Sequence, residues 1–315
     1  MPGLQHTLLQ WGAARLRKTA SLEIEGIPKL RKVLDSASRL LFLPGGVTKE
    51  SFQIGRIPAA WLRPQGADKD KVVLFLHGGG FAVGSTQTHQ GLAARLAQKA
   101  ELQCLIFDYR LAPEHPFPAG LEDAVASYQY LLAQGFEPGH IVLAGDSAGG
   151  GLALSLQVTL KAMGLPLPAA CLLFSPWVDL SFSGASAVLY KDTDPIVCPE
   201  KVLDWALVYA GKESLRHPMV SPLFADLSGL SPTYIQASTT EVLTDDAIRL
   251  QRALKKAKVA VNLSLWEETM HVWQLFWGTV PEADKALVEG AAFLRSMAQV
   301  GISASENRIK APHKS

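Results

Sequence analysis

A serine set among glycines occurs at Gly145-Asp146-Ser147-Ala148-Gly149, directly after the apolar run Ile141–Gly145. A hydroxyl at such a turn can attack a carbonyl carbon if a base takes its proton and fixed donors hold the oxyanion that forms. The pattern alone is weak, since a chain of 315 residues contains it by chance roughly one time in seven at ordinary glycine and serine frequencies. Its setting strengthens it. An apolar strand leads in and the helical run Gly150–Lys161 leads out, the strand–turn–helix that lifts a nucleophile above a sheet. The glycines on either side allow the sharp turn and a close approach of helix to strand, because a Cβ there would collide. A helix dipole pointing at the turn favours the developing negative charge. A glycine-rich turn with a capping serine would explain the glycines as well, so the partners decide.

Donors for an oxyanion are found at His77-Gly78-Gly79-Gly80, which follows the run Lys71–Leu76 without a break. Consecutive glycines leave backbone N–H groups uncovered and able to converge on one oxygen. The expected oxyanion hole consists of the N–H groups of Gly78, Gly79 and Ala148, the last being the residue after the nucleophile. Losing one such donor typically costs about 2.7–4 kcal/mol of barrier. A phosphate loop would need a Lys-Ser/Thr pair after the glycines, and none follows. His77 reads as a residue that fixes this loop, not as a base.

The base must be one of eight histidines, and in a fold where nucleophile, acid and histidine follow in that order only His217, His271 and His313 qualify. His313 lies in the polar tail and His217 precedes a proline. His271, in EETMHVW just beyond the run Val261–Trp266, is the expected base. The acid belongs on the loop after Thr233–Ala237, where Glu241, Asp245 and Asp246 stand. Asp245 and Asp246 open a helical run and suit capping and dipole work. Glu241 is the favoured acid, with Asp245 next; its task is to orient the imidazole and stabilise its charged form. Glu267 and His271 are spaced as a metal pair on a helix would be, but no third ligand is near in sequence, so neither metal nor cofactor is expected.

These groups need a scaffold. Lys71–Leu76, Gln103–Asp108, Ile141–Gly145, Ala170–Phe174, Thr233–Ala237 and Val261–Trp266 are short and nearly continuous in hydrophobicity, as strands covered on both faces must be. Helical patterns alternate with them over Gln87–Lys99, Leu121–Gln134, Ala148–Met163, Asp245–Lys256 and Glu282–Gln299, which predicts an α/β fold with a mostly parallel sheet. Phe52–Arg63 reads as an antiparallel pair at the edge. Residues 1–45, with Leu16, Leu22, Ile24, Leu30, Val33, Leu34, Leu40, Leu41 and Phe42, form an amphipathic helical cap segment. Residues 46–300 make the catalytic domain, residues 177–225 an insertion with one helix near Glu200–Ala210 that contributes to the cap, and residues 301–315 a polar tail.

Bulk composition narrows the setting. With 48% hydrophobic residues the chain can bury a large core, and its net charge of +1 gives no basic face for nucleic acid. The longest apolar runs are strand-sized, so no membrane span is expected, and the N-terminus lacks the pattern of a signal peptide. Three cysteines, Cys104, Cys171 and Cys198, are too few and too scattered for a disulfide framework or a zinc site, which fits a reducing, cytoplasmic setting.

HGGGF at 77–81, DYRLAPEHPFPAGLEDA at 108–124, GDSAGG at 145–150 and SPWVDL at 175–180 resemble the hormone-sensitive lipase family of bacterial esterases over roughly residues 45–300. The resemblance implies an α/β-hydrolase fold with an N-terminal helical cap and hydrolysis of carboxylic esters without a cofactor. Carried over, Ser147 matches the nucleophile, His271 the base, and Gly78, Gly79 and Ala148 the oxyanion donors. Most members have aspartate in a D-P-L-x-D pattern where this chain has Glu241-Val242-Leu243-Thr244-Asp245; this places Glu241 on the catalytic position, as in members whose acid is glutamate. The segment Tyr109–Glu114 resembles one that braces the oxyanion loop. Dimers are common in the family, although the sequence names no interface.

The expected activity is that of a serine carboxylesterase acting on short- to medium-chain uncharged esters through an acyl-enzyme. The alternatives are a non-catalytic ligand-binding protein on the same fold and an amidase or other acyl hydrolase, which the same machinery would serve. Because His271 must be neutral to act, activity is expected to fall on acidification near the unperturbed imidazole pKa of about 6.5. Ser147→Ala should abolish turnover while circular dichroism and the melting temperature stay those of the parent; retained turnover would remove Ser147 from the mechanism.

Overall fold

The computed structural model describes residues 23–38 and 43–309 of the chain. Eight strands form one sheet: β1 (Val47–Ile54), β2 (Ile57–Pro64), β3 (Asp68–Leu76), β4 (Leu102–Phe107), β5 (Ile141–Asp146), β6 (Ala170–Phe174), β7 (Thr233–Ser238) and β8 (Val261–Trp266). Their order across the sheet is β1-β2-β4-β3-β5-β6-β7-β8. The β1–β2 hairpin is antiparallel and β2 meets β4 antiparallel, while every pairing from β4 to β8 is parallel. The hairpin extends beyond the expected Phe52–Arg63 at its outer end, where the polar pattern of Val47–Ser51 hides a strand that lies at the sheet's exposed edge.

The near-continuous apolar runs are explained by two layers of helix. The helices are α1 (Ile27–Ser38), α2 (Thr86–Ala100), α3 (Ala119–Ala133), α4 (Ala148–Ala162), α5 (Ser186–Leu189), α6 (Pro199–Ala210), α7 (Thr244–Lys256) and α8 (Pro281–Ile309). Successive strand residues point to opposite faces. Val72, Leu74, Leu143 and Leu173 face one core with Tyr128 of α3, Leu156 of α4 and Leu250 of α7. Val73, Phe75, Val142 and Leu172 face the other with Leu96 of α2 and Leu287, Ala291 and Leu294 of α8. Cys104 and Cys171 are buried in these cores, and burial pushes both thiols far above their usual pKa.

The insertion between β6 and β7 contains the expected helix as α6, together with the short α5 and a 3₁₀ turn at Pro222–Phe224. Helix α1 packs Ile27 against Ala82, Val83 and Trp205, and so joins the loop after β3 to α6. Helix α8 continues past residue 300 to Ile309, into the segment expected to be a tail, because an established helix gains one hydrogen bond for each further residue. Leu16, Leu22, Leu40, Leu41, Phe42 and His313 lie outside the described residues. Among the described residues, no helix is long and apolar enough to cross a membrane.

One contact sets how α4 meets the sheet. A Cβ at Gly149 would lie 2.1 Å from the Leu76 carbonyl oxygen and 2.4 Å from that of His77, both rigid backbone atoms. Gly149→Ala is therefore expected to destabilise the fold by about 1–3 kcal/mol or more, read as a lowered melting temperature. Gly45→Ala, whose Cβ meets nothing, should leave the melt unchanged.

Candidate active site

The turn between β5 and α4 places Ser147 at φ 51°, ψ −122°, a conformation that non-glycine residues avoid. Backbone contacts on both sides enforce it: the Ser147 N–H donates to Phe174 O at 2.9 Å, and the Trp177 N–H donates to Ser147 O at 2.9 Å. Gly145 and Gly149 make the turn feasible, since a Cβ at Gly145 would sit 2.5 Å from Gly149 O. The hydroxyl leaves this elbow toward the loop after β8.

There it meets His271. Ser147 Oγ is 3.0 Å from His271 Nε2, and His271 Nδ1 is 2.7 Å from Glu241 Oε2. The other Glu241 oxygen accepts the Ser238 N–H at 2.9 Å. Because a carboxylate can only accept, the imidazole proton belongs on Nδ1, which leaves the Nε2 lone pair for the serine hydroxyl. Burial disfavours the charged ring, but the hydrogen bond and charge of Glu241, joined by the charges of Asp194 and Asp146, outweigh it and raise the His271 pKa. Both ring nitrogens are engaged, so the Glu267–His271 spacing does not amount to a metal pair. Among the described residues no cluster of three or more potential ligands exists.

The other candidates lie elsewhere. His217 Nδ1 accepts the Met219 N–H at 3.2 Å, within the insertion. Asp245 Oδ2 accepts the Ser186 N–H at 3.0 Å, and Asp246 Oδ2 accepts those of Val178 and Asp179, each at 2.9 Å. These two aspartates therefore staple the insertion to α7, where sequence reasoning expected them to cap their own helix. Burial drives the Asp246 pKa up to about 7 despite its two N–H partners.

The expected oxyanion hole needs one correction. Gly78 donates its N–H to Asp146 Oδ1 at 3.1 Å, so this donor is already committed. The parallel register that pairs Leu76 with Gly145 brings Gly78 directly beside Asp146, and a Cβ on Gly78 would lie 2.1 Å from Asp146 Oδ2. The N–H groups of Gly79 and Gly80 have no partner among the described residues. Ala148 opens α4, where the first amides have no intrahelical acceptor. Sequence reading passed over the Gly80 amide, because three adjacent glycines look alike until the strand register assigns their neighbours. Its φ of +62° and the Trp205 ring, 2.7 Å from where a Cβ would sit, both require glycine.

The loop carrying these donors is braced from below. The Tyr109 hydroxyl donates to His77 O at 2.8 Å, and the two rings stack at 4.3 Å. The Ala112 N–H donates to Phe81 O at 2.9 Å, while Arg31 of α1 donates to Ala82 O at 2.7 Å and Ala112 O at 2.6 Å. His77 is buried with its Nδ1 on Gly78 O at 2.9 Å. Burial and neighbouring His89 lower its pKa to about 4, so it is a neutral structural ring. Asp146 holds His89 as well, at 3.3 Å.

A family model described as alpha/beta hydrolase fold matches residues 73–275. An acetyl-hydrolase of Streptomyces hygroscopicus is 42% identical over 249 residues, 79% of this chain and 83% of that protein. An esterase of Acinetobacter venetianus is 34% identical over 270 residues, 85% of this chain and 88% of that protein. Among solved structures, an esterase from the bacterial hormone-sensitive lipase family superposes with a TM-score of 0.90 at 38% identity, covering 95% of this chain and 100% of that one.

The raised His271 pKa refines the pH expectation. A base must be deprotonated to act, so kcat/KM should fall as pH drops through that raised value, with a midpoint above the free-imidazole value of about 6.5. Glu241→Gln should move this midpoint down and reduce kcat by a factor on the order of 10³–10⁴. An unmoved midpoint would break the link between Glu241 and His271.

Proposed function

Since the chain belongs to the alpha/beta hydrolase family and is a carboxylesterase, we propose that Ser147, His271 and Glu241 are its catalytic triad. The observation that carries this reading is the unbroken relay from Ser147 Oγ through both His271 nitrogens to Glu241, at 3.0 and 2.7 Å. His271 takes the serine proton as Oγ bonds to the ester carbonyl carbon. The carbonyl oxygen, now an anion, accepts hydrogen bonds from the N–H groups of Gly79, Gly80 and Ala148. His271 then passes its proton to the leaving alcohol, giving an acyl-enzyme. Water, activated by the same imidazole, repeats the sequence and releases the acid. Glu241 keeps the ring in the required tautomer and stabilises its charged form.

In this reading the chain stands with those members of the hormone-sensitive lipase family whose acid is glutamate. Its substrates are uncharged esters, a reading supported against anionic esters by the carboxylates of Glu241, Asp194 and Asp146 that act on His271 and would repel them. The name of the acetyl-hydrolase relative favours short acyl groups. Residues 23–38 and 177–225 act as a cap over the catalytic domain, a role supported by the packing of Ile27 on Trp205. Its three unpaired cysteines suit a cytoplasmic setting.

Hydrolysis of nitrophenyl esters with acyl chains from two to twelve carbons tests this function, with the matching nitroanilides run in parallel. The expected result is turnover that peaks at short chains, is weak on anilides and disappears in Ser147→Ala. Equal rates on anilides would make the enzyme a general acyl hydrolase. Absence of turnover at every length would favour the ligand-binding alternative.

A further inference from the structure

His271 sits on an irregular loop between β8 and a 3₁₀ turn at Trp273–Phe276, with no helix or strand of its own to hold it. Two buried serines grip that loop, one on each side of the histidine. Upstream, Ser238 Oγ donates to Thr269 O at 3.0 Å. Downstream, the Val272 N–H donates to Ser175 Oγ at 3.1 Å. Each serine also touches the surroundings of another triad member. The Ser238 N–H binds Glu241 Oε1 at 2.9 Å, and Ser175 directly follows Phe174, whose carbonyl takes the Ser147 N–H at 2.9 Å.

The backbone between these grips is under strain. Val272 lies at φ 48°, ψ 47°, a left-handed conformation that a β-branched residue strongly disfavours, and Ser175 itself has φ 44°. Such conformations persist only where the surroundings over-determine them. Here the Val272 side chain is buried in one core and its N–H is fixed by the Ser175 hydroxyl. Without that acceptor the loop would relax toward an ordinary conformation, and the imidazole would turn with it.

We propose that Ser175 and Ser238 are positioning residues that bracket His271 and hold it in register with Ser147 and Glu241. The proposal rests on the triad reading above. Neither hydroxyl touches the substrate or the reacting atoms. Ser238 ties the histidine loop to the loop of the acid, and Ser175 ties it to the strand end that holds the elbow. A histidine whose loop is held at the Thr269–Met270 and His271–Val272 peptides keeps its two hydrogen bonds aligned while it changes charge. Misplacement of about 1 Å can cost a hundredfold in rate. If the serines only satisfied buried polar groups, their loss would lower stability and leave the kinetics of the folded enzyme unchanged.

The test is Ser175→Ala and Ser238→Ala, assayed well below their melting temperatures on a nitrophenyl ester. Ser238→Ala keeps the backbone N–H to Glu241 and removes the hydroxyl's bond to Thr269 O together with the acceptor of the Thr240 N–H at 3.2 Å, while Thr240 Oγ1 still reaches Thr269 O at 3.3 Å, a longer and weaker hold. The expected result is a kcat lowered by about 10- to 100-fold with KM within about twofold of the parent. The acid limb of kcat/KM should also move toward the ordinary imidazole value. The charged groups facing His271 are Glu241 after β7, Asp194 in the insertion and Asp146 at the end of β5; none is altered, so the movement reports a loosened Glu241 contact. Ser238→Thr, which retains the hydroxyl, should recover most of kcat. If Ser175→Ala does not fold, Ser175→Cys keeps the shape with a weaker acceptor and should show the same split. Variants with a kcat within about twofold of the parent and an unmoved acid limb, despite a lower melting temperature, would overturn the bracket. Turnover surviving in Ser147→Ala would instead overturn the triad reading and the bracket with it.

Discussion

Helix α4 begins so close to the end of β3 that the Gly149 Cα faces two backbone carbonyls, with no room for a side chain between them. That approach is the constraint around which the site is arranged. It forces the chain to turn at Ser147 within a single residue, at a dihedral pair that only firm backbone contacts on both sides can hold. It also brings the loop after β3, with the uncommitted amides of Gly79 and Gly80, alongside the elbow. The residue between glycine and nucleophile, Asp146, uses its carboxylate to hold Gly78 and His89. One turn thus positions the Ser147 hydroxyl, the glycine loop after β3 and the brace beneath it.

The electrostatics follow from the same crowding. Glu241 and His271 are both buried, a placement that is costly for an unpaired charge and sustainable for a hydrogen-bonded pair. Each carboxylate oxygen of Glu241 has a donor, one from the ring and one from the Ser238 backbone. Asp194 adds its charge from the insertion and also accepts the N–H of Val242, the residue after the acid. The insertion is therefore coupled to the Glu241–His271 pair by a buried carboxylate, and is tied to α7 by the Asp245 and Asp246 staples.

Much of this was legible in the sequence because the signals were local. The five parallel strands inside the sheet showed as short apolar runs, since a strand covered on both faces has no polar side; β8, read in the same way, is the edge strand and has no buried residue. The helices showed as helical patterns between those runs, and the elbow as glycine spacing. Chain order put forward Ser147 and His271, and Glu241 precedes Asp245 and Asp246 on the loop after β7; the structure brings these three side chains within hydrogen-bond reach. The outer hairpin strand was less visible, because Val47–Ser51 is polar on an exposed edge, where no burial imposes a pattern.

What the sequence determined by itself is the set of chemical groups and the elements that carry them: a serine on a strand–turn–helix, a glycine loop after a strand, and a histidine and a carboxylate on later loops. The tertiary structure decided how those groups are shared out. Which two of three adjacent glycines are free to donate depends on the β3–β5 register, which commits Gly78 to Asp146. Whether Asp245 and Asp246 cap a helix or staple an insertion depends on which amides fold against them. That Ser175 and Ser238 grip the histidine loop is set by strand ends that are far apart in the chain and meet only in the sheet. Hydrogen bonds between distant segments leave no periodicity in a sequence, because they depend on the meeting of two backbones and not on the pattern of either.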